Sequence, residues 1–144
     1  MTTTSAADSG KASTLAALKP RLLHVAYHVS NIERAKAFYV SALGLKEQMT
    51  IPLGNGMQEV ILSFPDAPGA GVILMWNTQA GGERVHGDGY SRFVLQVSDV
   101  EAAMKVMAEH KTPVVTPITA AGPFKYAMVK DPDGYVIELL QMMR

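Results

Sequence analysis

The chain is written twice, and this limits its fold more than any single residue does. Residues 22–35 (LLHVAYHVSNIERA) run parallel to residues 90–103 (YSRFVLQVSDVEAA). Each copy is an apolar strand, then Ser-x-x-Glu, then an amphipathic run. A second echo sets Gly71-Val72-Ile73-Leu74-Met75 against Tyr135-Val136-Ile137-Glu138-Leu139. Self-similarity of this kind means one supersecondary unit used twice, each copy completing the other's core. It also sets equivalent positions side by side, so the polar ones stand out. In the first echo His24 faces Arg92, and in the second Leu74 faces Glu138.

Periodicity gives the unit its elements. Leu22, His24, Ala26 and His28 alternate with Leu23, Val25, Tyr27 and Val29, as the two faces of a strand do. Ser30-Asn31-Ile32-Glu33 reads as a capping box. Ile32, Ala35, Tyr39, Ala42 and Leu43 then form one helical stripe, which Gly44 ends. Strands are expected near 45–52, 57–64 and 70–77, split by Gly- and Pro-containing turns. The order recurs: a strand over Tyr90–Val97, a capping box at Ser98–Glu101, and a stripe of Val100, Ala103, Met104 and Met107. Strands near 113–116, 124–130 and 135–141 follow, the last after the turn Asp131-Pro132-Asp133-Gly134. Thr116–Pro123 is either a lid loop or an ordinary connection. The expected fold class is α+β, two βαβββ modules making a curled mixed sheet with a central cleft. Residues 1–20 read as a flexible tail, 21–80 as the first module, 81–89 as a Gly-rich linker and 90–144 as the second module.

Composition excludes several function classes. Lys plus Arg equals Asp plus Glu at 13 each, so no net positive field invites nucleic acid. With no cysteine there is neither a disulfide nor a thiolate nucleophile or ligand. No apolar stretch reaches membrane-spanning length, and the expected location is the cytoplasm. No phosphate loop, nucleophile elbow or dinucleotide glycine pattern is present.

Arg21-Leu22-Leu23-His24, the Phe38-Tyr39 to Leu43-Gly44-Leu45 segment and Asp131-Pro132-Asp133-Gly134-Tyr135-Val136-Ile137-Glu138-Leu139 together resemble a glyoxalase I-type member of the vicinal oxygen chelate superfamily. That superfamily also holds extradiol dioxygenases and fosfomycin- and bleomycin-resistance proteins. The resemblance implies a divalent metal at four strand positions, matched here by His24, Leu74, Arg92 and Glu138. His24 and Glu138 keep a ligating group. Leucine has no donor atom, and a guanidinium has only N–H donors, so neither Leu74 nor Arg92 can coordinate a cation.

The candidate catalytic set is therefore Glu138, His24 and Arg92. Glu138 would move a proton next to a carbonyl, while Arg92 and His24 hold the developing oxyanion. Arg92 and Glu138 are equally readable as a structural ion pair. Candidate substrate-binding residues are His28, Leu74, Trp76, Asn77, Gln96 and Tyr126, with Trp76 read either as a platform or as core. His28 stands where the resembled family often has a glutathione-binding arginine. The expected activity is that of a glyoxalase-like lyase or isomerase on a small carbonyl-bearing substrate, without a tightly held metal. The alternatives are a non-catalytic small-molecule binder, or a metal enzyme that recruits a substitute ligand from His28, Glu59, His86 or Gln96. The expected partners are a small-molecule ligand and a second copy of the chain.

Overall fold

The computed structural model describes residues 14–78 and 86–143. After a short 3-10 turn at Leu15–Leu18 come strand β1 (His24–His28) and helix α1 (Ile32–Lys36), which runs on into a π-helical turn at Ala37–Ala42. Strands β2 (Lys46–Gly54), β3 (Met57–Phe64) and β4 (Ala67–Asn77) complete the first unit. Strand β5 (Phe93–Gln96), helix α2 (Val100–Glu109) and strands β6 (Val114–Ala121), β7 (Phe124–Lys130) and β8 (Val136–Met142) repeat the order. The expected tail lies outside the described residues up to residue 13, and the expected linker does so over 81–85. No helix among the described residues is long and apolar enough to cross a membrane.

The fold is α+β, with two four-stranded mixed sheets ordered β1-β4-β3-β2 and β5-β8-β7-β6. In each, the first strand pairs parallel with the last, and the other pairs are antiparallel. Residues opposite one another on a ladder share a face. Tyr27, Leu74 and Val60 therefore point one way, as do Phe93, Ile137 and Val129 in the second sheet. These, with Ile32, Ala35, Tyr39, Val100 and Met107 from the helical segments, form one apolar core that spans both modules. The other face of each sheet carries no helix of its own and is more exposed. Gly71 belongs to that face. A Cβ there would run into the Leu62 carbonyl oxygen and Ser63 Cα, so only glycine lets β3 and β4 close at this point.

Two local expectations are corrected. The helix caps are Asn31 and Asp99, one residue past Ser30 and Ser98. Asn31 Oδ1 accepts from the Arg34 amide at 2.9 Å and Asp99 Oδ1 from the Ala102 amide at 3.0 Å. Asn and Asp cap as well as Ser, and the shift releases Ser30 for another contact described below. Asn31→Ala and Asp99→Ala should each cost about 1 kcal/mol of stability in urea melts. Secondly, most of Thr116–Pro123 is strand: β6 runs through Ala121 and turns at Gly122 (φ +57°) into β7. Its Thr and Ile residues suit a pleated, half-exposed edge.

The modules are fastened through the Asp131–Tyr135 turn. Asp131 is 3% exposed. Its Oδ2 accepts from the Tyr39 hydroxyl at 2.7 Å, and its Oδ1 from the amides of Asp133 and Tyr135 at 2.9 and 2.8 Å. Asp133 Oδ1 accepts from the Ser30 amide at 3.0 Å and the Ser30 hydroxyl at 2.6 Å. The Tyr135 hydroxyl donates to the His28 carbonyl at 2.8 Å, and its ring lies 4.8 Å from that of Tyr27. Burial pushes the Asp131 carboxyl above its ordinary value, against the pull of its three hydrogen bonds. Burial likewise pushes the Tyr90 phenol, beside the same turn, up to about 12.

Candidate active site

The open face of the second sheet brings two of the predicted residues, Arg92 and Glu138, into direct contact. Glu138 pairs with Val94 on the parallel ladder and with Met128 on the antiparallel one, so its carboxylate rises between two apolar side chains. The residue is 7% exposed. A carboxylate there needs a partner, and Arg92, at the entry to β5, supplies it: Nε donates to Glu138 Oε1 at 2.6 Å. Arg92 Nη1 donates to the Ser91 hydroxyl at 3.1 Å. Arg92 Nη2 and Glu138 Oε2 bond to nothing among the described residues. The pair therefore combines a held carboxylate having one uncommitted oxygen with an adjacent guanidinium having an uncommitted N–H.

The first sheet contributes differently. His24 lies opposite Gly71, and His28 opposite Met75, on the open face of β1. His24 is half-buried and hydrogen-bonds neither Arg92 nor Glu138 within the chain. Leu74 is not on this face. It is opposite Tyr27, is fully buried, and belongs to the core, so it can neither line the site nor mirror Glu138. The register identifies the true counterpart. Glu138 pairs with Val94, two residues past Arg92; two residues past His24 is Ala26, which pairs with Ile73. Trp76 shares the Leu74 face and is half-buried against the core.

The remaining candidates are distributed around this pair. Gln96 and Tyr126 both oppose Leu140, on the Glu138 face one step along the ladder. Asn77 opposes Met57 on the open face of the first sheet. Glu59 lies in the same cross-strand row as Met75 and His28. His86 stands apart, with Nε2 2.7 Å from the Asp133 carbonyl and its ring against Tyr135. Val94, Met128 and Ile73 carry no distinguishing signal in the sequence, because strand composition does not reveal ladder register.

The donor set does not fit the metal that the resemblance implies. Ile73 has no donor atom, and Arg92 is a cation already spending a donor on Glu138. Among the described residues no three His, Asp or Glu side chains come close enough together to hold an ion.

Comparison with known proteins agrees with this architecture. A lactoylglutathione lyase of Neisseria meningitidis serogroup A is 31% identical over 132 residues, which is 84% of this chain and 90% of that protein. A putative lactoylglutathione lyase of Brassica oleracea is 29% identical over 85% of this chain, but the chain spans only 45% of its length. The glyoxalase I structure of Leishmania major superposes with a TM-score of 0.71 at 28% identity, covering 85% of this chain and 87% of that one. Residues 21–139 match the family model of the Glyoxalase/Bleomycin resistance protein/Dioxygenase superfamily, and the chain belongs to that superfamily.

Proposed function

We propose that the chain is a glyoxalase-like lyase or isomerase of small carbonyl compounds, working by proton transfer at Glu138. The observation that carries this reading is the Arg92–Glu138 pair, in which one carboxylate oxygen is held at 2.6 Å and the other stays uncommitted. Glu138 Oε2 takes a proton from the carbon beside the substrate carbonyl. The electron pair moves onto the carbonyl oxygen, where the uncommitted Arg92 N–H meets the developing charge. In a substrate whose first carbon bears a hydroxyl, the hydroxyl proton passes to the former carbonyl oxygen as the carboxyl returns its own proton to the former carbonyl carbon, so carbonyl and hydroxyl exchange places with no net change of atoms or electrons. Val94 and Met128 keep water from the carboxylate, and Gln96 and Tyr126 orient the substrate's polar end. Names carried by the relatives favour a thioester or thiol adduct such as lactoylglutathione, whereas His28 favours a substrate lacking glutathione's carboxylates.

The working unit is a homodimer in this reading. The open faces leave Met49, Val94 and Met142 about half exposed, at 54%, 48% and 47%. A second copy would cover these side chains and bring His24, from the same chain or its partner, toward the Arg92–Glu138 pair.

The test is isotope exchange. S-lactoylglutathione and a panel of small 2-oxo and 2-hydroxy carbonyl compounds are incubated with the protein in deuterium oxide. Deuterium should enter at the carbon beside the carbonyl of a compound that binds. A compound that binds the Glu138 face tightly and never exchanges would instead make the chain a binding protein.

A further inference from the structure

A cavity of about 390 Å³ lies in the seam between the modules and is lined by none of the candidate catalytic residues. Its volume is that of an ordinary small-molecule pocket. Its floor comes from the π-helical turn, through Ala37, Phe38 and Ala42, and from Pro113 in the connection after α2. π-helical turns are rare and gather at functional positions; here the turn forms the cavity's apolar wall.

The rim is cationic. Arg34, Lys111 and Lys130 line it, together with His110. Arg34 is committed, 2.8 Å from the Ser30 hydroxyl and 3.5 Å from Asp133. Lys111 and Lys130 have no ion-pair partner among the described residues, and the acid in the lining, Asp131, is buried and bonded to Tyr39. Two free ammonium groups therefore stand over an apolar floor. Thr112, in the same wall, is 8% exposed and holds a buried hydroxyl with no hydrogen-bond partner among the described residues. A buried hydroxyl left in that state is costly unless an acceptor arrives.

We propose that this seam cavity is a binding site for a phosphate monoester of a small apolar group, distinct from the Glu138 face. A phosphate monoester carries close to two negative charges near neutrality and three acceptor oxygens. The charge matches the two unpartnered lysines, the oxygens supply the acceptor that Thr112 lacks, and the apolar body lies on Phe38. A simple carboxylate would neutralise only one of the two ammonium groups. The ligand touches α1 of one module and the Asp131 turn of the other, so binding tightens the seam.

Phenyl phosphate is the probe, titrated into the full chain and followed by calorimetry and amide NMR. The expected result is saturable binding that shifts Phe38, Lys111, Thr112 and Lys130 resonances and leaves Val94 and Glu138 in place. Lys111 and Lys130 are exposed, so the double variant Lys111→Gln with Lys130→Gln should fold normally and lose at least about tenfold in affinity. Inorganic phosphate and phenol should each bind at least about tenfold more weakly than phenyl phosphate. Unchanged affinity in the double variant overturns the proposal. So do shifts centred on Glu138, inorganic phosphate binding as tightly as phenyl phosphate, or no saturation by about 10 mM.

Discussion

Glu138→Gln is expected to lower turnover by about 10²- to 10⁴-fold, the range lost when a positioned acid–base group is removed. The substitution is close to isosteric and keeps an oxygen that can accept from Arg92 Nε, the bond that measures 2.6 Å in the native pair. Melting temperature and ligand affinity should therefore stay near native values while deuterium exchange stops. Arg92→Met makes the complementary case. It leaves a carboxylate whose side chain is 9% exposed without its cation, so stability and activity should fall together. A fully active Glu138→Gln protein would remove Glu138 from the chemistry and reduce the pair to a structural fastener.

The elements were legible because apolar spacing differs between strand and helix, and β1, β5 and both helices came directly from it. Register was not legible. Gly71-Val72-Ile73-Leu74-Met75 is apolar at nearly every position, so its echo with Tyr135–Leu139 can be drawn with a one-residue slip at no cost in composition. In a strand that slip exchanges the faces, so the echo sets Leu74 against Glu138 where the ladder sets Ile73. The caps slipped similarly, because Ser30-Asn31 and Ser98-Asp99 each offer two adjacent capping residues. The Arg92–Glu138 pair is legible as two opposite charges in one module, at the entry to apolar strand β5 and within apolar strand β8. The seam was not: Tyr39 and Asp131 lie 92 residues apart, and Asp131-Pro132-Asp133-Gly134 reads locally only as a turn. The turn is real, but its two carboxylates also tie the modules together.

Asp131→Ala should be strongly destabilising, costing about 3–5 kcal/mol. It strips acceptors from the Tyr39 hydroxyl and from the amides of Asp133 and Tyr135 at a residue 3% exposed. Each buried donor left without a partner costs roughly 1–3 kcal/mol, against a total stability of about 5–15 kcal/mol for a domain. Tyr39→Phe loses one of those bonds and should cost less, about 1–3 kcal/mol. Asp131→Asn keeps one oxygen acceptor for the two turn amides, loses the one that meets the Tyr39 hydroxyl, and removes the titrating proton. Burial raises the folded carboxyl above 3.8, the ordinary value that the unfolded chain recovers. The folded state therefore binds this proton more tightly, and the linked stabilisation is complete below 3.8 and is lost as pH climbs through the folded value. Urea melts across that range should show native stability falling, relative to Asp131→Asn, as pH rises. A difference that grew with pH would mean that the three donors around Asp131 outweigh its burial in setting the proton affinity of the folded carboxyl.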